Sequence, residues 1–179
     1  MSPTARPASA KATAGTGRAR SAAAFLAFLA ISFAVAALGA VSTIQNVNGW
    51  YAHADRAFWT PPNAVFGPIW TVLYALMSVS AWLVWRERGT QDVRPALMAY
   101  VVQLILNSLW TPVFFGLYPV AGGSALWIAL LIILAIDAMV LVTMLRFWPV
   151  RRLAALLLIP YWAWVLYATT LNAYLAINN

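Results

Sequence analysis

Between Arg94 and Asp137 the chain runs for 42 residues without a charged side chain. A membrane span needs about 20 apolar residues, so this run is too long for one crossing and long enough for parts of two. Gly116, Pro119, Gly122 and Gly123 fall inside it and mark the turn. In hydrocarbon each backbone polar group must be satisfied within its own segment, which favours helices. Composition agrees: 64% of the 179 residues are hydrophobic and 8% are charged, where soluble domains carry about 25% charged. The expected fold class is therefore an all-α integral membrane protein, one domain of five transmembrane helices.

The other spans follow from where charges interrupt the apolar runs. Residues 1–20 are rich in Ala, Ser, Thr, Pro, Gly and Arg without apolar periodicity, and read as a disordered basic tail. Residues 21–179 form the membrane domain, with helices at about 22–44, 62–85, 95–115, 123–146 and 153–176. The first run exceeds the usual signal-peptide core of about 7–15 residues and is long enough to cross. With five spans, Arg6, Lys11, Arg18 and Arg20, then Arg86, Arg88 and Arg94, then Arg146, Arg151 and Arg152 all lie on one side, and only Arg56 lies on the other. This asymmetry predicts a cytoplasmic N-terminus, with the C-terminus and the loop after the first helix on the exterior or periplasmic face of a bacterial cell membrane.

Several chemistries are excluded. The chain has no cysteine and a single histidine, His53, so thiolate zinc sites, disulfides and multi-histidine metal sites are ruled out within one chain and no metal site is expected. No Ser/His/Asp set or carboxylate pair lies inside the spans, and phosphate loops and dinucleotide fingerprints are missing. The net charge of +7 suggests nucleic acid only until its placement is considered: the basic residues flank apolar runs, as topology signals and contacts to anionic lipid of the bilayer do.

One stretch carries most of the specific information. In Trp59–Tyr74, Thr60 is a candidate helix cap and Pro61 or Pro62 a candidate first helical residue. Beyond them Phe66, Trp70, Tyr74 and Ser78 recur every four residues and share one face. Gln103, Asn107, Trp110 and Phe114 make a comparable stripe on the third helix, and Tyr161, Trp164, Ala168 and Asn172 on the fifth. Aromatic faces with amide tips and one small residue suit a large, flat, apolar ligand. The competing reading is interhelical glue from the amides and an interfacial aromatic belt. Pro112 and Pro160 should kink their helices.

The order of these motifs resembles the tryptophan-rich sensory protein / translocator protein family (TspO/MBR). The resemblance rests on Trp50-Tyr51, Trp59-Thr60-Pro61-Pro62, Gly67-Pro68-Ile69-Trp70 with Leu73-Tyr74, and Leu83-Val84-Trp85. It continues in Gln103 to Trp110, Pro112, Phe114-Phe115-Gly116, Pro160 to Trp164 and Ala168 to Asn172. It implies a five-helix bundle that binds porphyrins such as protoporphyrin IX, sterols or synthetic drugs in an intramembrane pocket, needs no cofactor, and acts as a receptor or sensor. A tetrapyrrole or sterol transporter and a light- and oxygen-dependent porphyrin-degrading enzyme are the alternatives. By motif position the implied pocket residues are Trp50, Trp59, Trp70, Tyr74, Asn107 and Trp110, with Trp164, Ala168 and Leu171 from the last helix. Trp70 and Trp164 match the tryptophans implicated in porphyrin degradation and would be catalytic only in that case. The loop after the first helix would act as a lid.

Two departures from the family pattern matter. Where its lid carries Lys-Pro, this chain has Arg56-Ala57, and no basic residue follows Leu171 and Tyr174, which argues against a sterol role. Asp137, the lone acid within a span, reads as a neutral interhelical hydrogen-bonding group ahead of a proton relay. Ser78 with Ala75 and Ala81 gives a small-residue face suited to a homodimer.

Overall fold

The computed structural model describes the backbone of residues 9–179 and the side chains of residues 17–179. In chain order the helices are α1 Ser9–Asn46, α2 Trp50–His53, α3 Asn63–Arg86, α4 Arg94–Thr111, α5 Tyr118–Ala121, α6 Gly123–Phe147, α7 Arg152–Leu157 and α8 Ile159–Asn178. Among the described residues, five stretches are long and apolar enough to cross a membrane: Gly17–Asn46, Asn63–Gly89, Arg94–Gly116, Gly123–Phe147 and Arg152–Asn178. No strand occurs among the described residues.

The tail departs from its reading as disordered. Residues 1–8 lie outside the described residues, but from Ser9 the backbone is helical and continuous with the first span. Ala, Lys and Arg dominate this segment and are strong helix formers. Extending an existing helix also avoids the nucleation cost an isolated segment would meet.

Prolines set the irregular points. Residues preceding a proline avoid helical backbone, which excludes Pro61 as a helix start. Pro62 is itself extended (ψ 141°) and α3 begins at Asn63, so Thr60 is not its cap. Thr60 instead closes a turn, its N–H donating to the Ala57 carbonyl. Pro112 opens a single π-helical turn, Pro112–Gly116, that ends α4. The last span breaks at Leu158, between α7 and α8, because Pro160 has no N–H to offer the preceding turn.

Tyr100, Phe147, Tyr161 and Met77 form the fully buried centre. A smaller core of Tyr51, Phe114, Leu126 and Leu175 sits towards the end that carries Arg56, opposite Arg86, Arg88, Arg146 and Arg151. Ser78 and Ala81 are fully buried inside the chain, where the Ser78 hydroxyl lies 2.7 Å from the Tyr74 carbonyl and 3.3 Å from that of Phe28 on α1. That small-residue face is thus spent on α1 and is not a surface for a second copy. In the arginine-rich half α1 packs on α3, with Trp82 Nε1 donating to the Ser21 carbonyl at 3.0 Å. In the other half it approaches α4: a Cβ on Gly39 would stand 3.1 Å from Thr111 Oγ1. This crossing leaves a cleft beside α3.

Candidate functional site

The cleft is a cavity of about 590 Å3 walled by α1, α3, the end of α4 and α8. That volume lies inside the range of about 300–1,000 Å3 typical of small-molecule sites. Helical periodicity builds each wall. On α3, Phe66, Trp70 and Tyr74 face inward on successive turns, and Gly67 and Thr71 complete the same surface. On α8 the residues are Trp164, Ala168, Leu171, Asn172 and Leu175. Asn107 and Trp110 come from α4, and Phe114 from the π turn.

The polar groups of these walls are mostly paired with one another. Tyr74 OH donates to Asn107 Oδ1 at 2.6 Å, and Asn107 Nδ2 donates to Tyr161 OH at 2.6 Å, linking α3, α4 and α8. Trp110 Nε1 donates to Asn172 Oδ1 at 3.1 Å, and Asn172 Nδ2 to the Leu126 carbonyl at 3.0 Å, tying in α6. The Trp110 ring stacks on Phe114 at 4.9 Å and 24°. The amides therefore act as interhelical glue and wall surface at once, so the two readings of these stripes are compatible. Trp164 Nε1 is buried with no partner. No lining residue carries a formal charge.

Ala168 faces both this cavity and a small void behind it that Trp70, Trp110 and Val165 also border. Its small size keeps the two spaces nearly continuous. On the flank, Ile44 and Phe33 of α1 are 72% and 38% exposed although they line the cavity, and Gly67 and Thr71 opposite them are exposed too. The cavity is thus open sideways between α1 and α3, at the depth of the spans.

Three expected site residues stand outside the cavity walls. Trp50 stacks on Tyr118 at 3.8 Å, and its Nε1 donates to the Phe115 carbonyl at 3.0 Å, which holds α2 against the π turn. Trp59 lies across α8, with Nε1 3.3 Å from Thr170 Oγ1 and its ring 5.5 Å from Tyr174. Gln103 is one turn from Asn107 on α4 but fully buried, with neither amide atom partnered. The α1 wall, Ala36, Gly39, Ala40 and Thr43 among it, carries no aromatic or amide stripe, so its sequence gave no sign of a site.

The segment expected to act as a lid is pinned at several points. The Asn179 amide accepts from the Asp55 N–H at 2.9 Å and donates to the Asp55 carbonyl at 3.1 Å. Tyr167 OH donates to the Trp59 carbonyl at 2.6 Å. Beneath it, Tyr51 lines the cavity and the Arg56 guanidinium carbon sits 5.4 Å from its ring centre. Burial raises the Tyr51 hydroxyl pKa, and Arg56 partly opposes this. His53 is exposed, and among the described residues no cluster of three metal-ligating side chains occurs.

A sequence model of the TspO/MBR family matches residues 28–177. The chain is 40% identical over 151 residues to the "Tryptophan-rich protein TspO" of Archaeoglobus fulgidus, an overlap covering 84% of this chain and 90% of that protein. It is 38% identical to the "Tryptophan-rich sensory protein" of Cereibacter sphaeroides, over 83% of this chain and 86% of that one. It is 39% identical to the human "Translocator protein", over 69% and 70%.

Proposed function

The chain belongs to the TspO/MBR family of integral membrane proteins, and from that premise we propose that it is a receptor whose lateral cleft binds a porphyrin or a similar flat, hydrophobic ligand. The observation that supports this most is the wall itself: aromatic side chains from three helices, no formal charge, and the small Ala168 where a larger residue would fill the space. Flat aromatic surfaces reward stacking with a polycyclic ligand beyond simple area burial. The sideways opening lets such a ligand arrive from the bilayer, where it would partition.

Titrating the detergent-purified protein with protoporphyrin IX tests the reading through quenching of tryptophan fluorescence. Saturable quenching in the wild type, weakened at least about five-fold in Ala168→Phe, is the expected result, since overfilling a packed site costs about 1–3 kcal/mol. Quenching that never saturates, or that ignores the substitution, removes the assignment.

Light-driven porphyrin degradation is a second reading, supported by Trp70 and Trp164 both bordering the cavity. It requires dioxygen as the oxidant and predicts loss of the porphyrin Soret band on illumination, abolished in Trp164→Phe. The arginine asymmetry further supports a cytoplasmic N-terminus and an exterior lid.

A further inference from the structure

The cavity walls are uncharged, whereas protoporphyrin IX is an apolar plate with its two carboxylates gathered at one edge. Burying a carboxylate among apolar and already paired groups is strongly unfavourable. A carboxylate-bearing ligand must therefore leave its anionic edge at a mouth, where a cation close to the walls and free of a carboxylate partner would hold it.

One residue meets those conditions. Among the described residues, Arg18, Arg20, Arg86, Arg88, Arg94, Arg146, Arg151 and Arg152 lie at the opposite end of the bundle, and Arg56 is the basic residue at the lid end. Its guanidinium lies beside Tyr51, whose ring borders the cavity. The backbone around it is tethered on both sides: Asp55 by two hydrogen bonds to Asn179, and the Trp59 carbonyl by the Tyr167 hydroxyl. It has no carboxylate partner, for the ion pair found among the described residues is Arg151 with Glu87. Arginine suits the task because its planar fork matches a carboxylate in two-point contact.

We propose that Arg56 is the carboxylate anchor of the cleft, so that the preferred ligand is a flat apolar molecule with an anionic edge, held plate-inward with that edge against the lid. This rests on the porphyrin-type reading above and narrows its ligand class.

The test compares protoporphyrin IX with its uncharged dimethyl ester on the full-length protein in neutral detergent at low salt, in wild type, Arg56→Gln and Arg56→Lys. The wild type should favour the free acid by about five-fold, the factor that an exposed ion pair of about 1 kcal/mol gives. Arg56→Gln should erase that preference and leave ester binding unchanged, and Arg56→Lys should keep part of it. Equal binding of acid and ester by the wild type, or equal loss of both in Arg56→Gln, overturns the anchor while leaving the cleft intact. Failure of both forms to bind removes the porphyrin reading and the anchor with it.

Discussion

The Tyr74 hydroxyl donates to the Asn107 amide oxygen at 2.6 Å, and the same amide's nitrogen donates to Tyr161. One buried asparagine thereby joins α3, α4 and α8 beside the cavity. Hydrogen bonds within membranes average about 0.6 kcal/mol, with a ceiling near 1.7. Tyr74→Phe should therefore cost less than about 1.5 kcal/mol. Asn107→Ala strands two hydroxyls and should cost about 1–3 kcal/mol. Unfolding curves in mixed detergent rank the two, and equal stabilities would contradict the network.

Thr169 has one hydroxyl hydrogen and two acceptors in reach, Asp137 Oδ2 at 2.8 Å and the Val165 carbonyl at 2.9 Å. Both contacts are satisfied together when a neutral Asp137 donates to Thr169 and Thr169 donates to Val165. The other carboxyl oxygen is buried without a partner, which a neutral acid tolerates far better than an ion. Asp137→Asn should then leave stability within about 1 kcal/mol of wild type, and Thr169→Val should lower it by a similar amount. A drop of several kcal/mol in Asp137→Asn, measured by the same unfolding curves, would show that a charge is required.

Gly39 marks where α1 meets α4, with only 3.1 Å from its added Cβ to Thr111 Oγ1. Gly39→Leu forces Thr111 or the helix to shift, at a cost of about 1–3 kcal/mol. Because the same crossing bounds the cleft, porphyrin affinity should fall along with thermal stability. Unchanged affinity would mean that α1 is not a wall of the site.

Asn179→Ala removes both hydrogen bonds to Asp55 and the 3.2 Å bond from the same amide to the Leu175 carbonyl, but no buried apolar side chain. Hydrogen exchange at the Asp55 amide should accelerate at least about tenfold, with the melting temperature almost unchanged, since solvent-exposed contacts govern local opening. Exchange equal to wild type would show that the lid is held elsewhere.

The five spans were legible because charge-free runs and flanking arginines leave few alternatives, and the α3, α4 and α8 faces because an aromatic or amide group every third or fourth residue has a fixed direction on a helix. Trp50 and Trp59 show the limit: their motifs are sound family markers, yet tertiary packing directs their rings to Tyr118 and Tyr174. Gln103 shares the Asn107 stripe, but one further turn carries it past the end of the cavity. The α1 wall of Ala, Gly and Thr is a site by shape alone, visible once α1 crosses from α3 to α4. At the N-terminus, composition suggested disorder where adjacency to a span favours helix from Ser9 on.

The absence of cysteine allows the cleft to be tested one position at a time. Ala40→Cys places a single thiol on the α1 wall, and Ala138→Cys places one on the exposed face of α6 away from the cavity. The rate of labelling by an apolar maleimide, with and without protoporphyrin IX, reads occupancy of the cleft directly. Bound porphyrin should slow labelling of Ala40→Cys several-fold and leave Ala138→Cys unaffected. Equal rates with and without ligand at Ala40→Cys, or equal slowing at both positions, would contradict a ligand seated between α1 and α3.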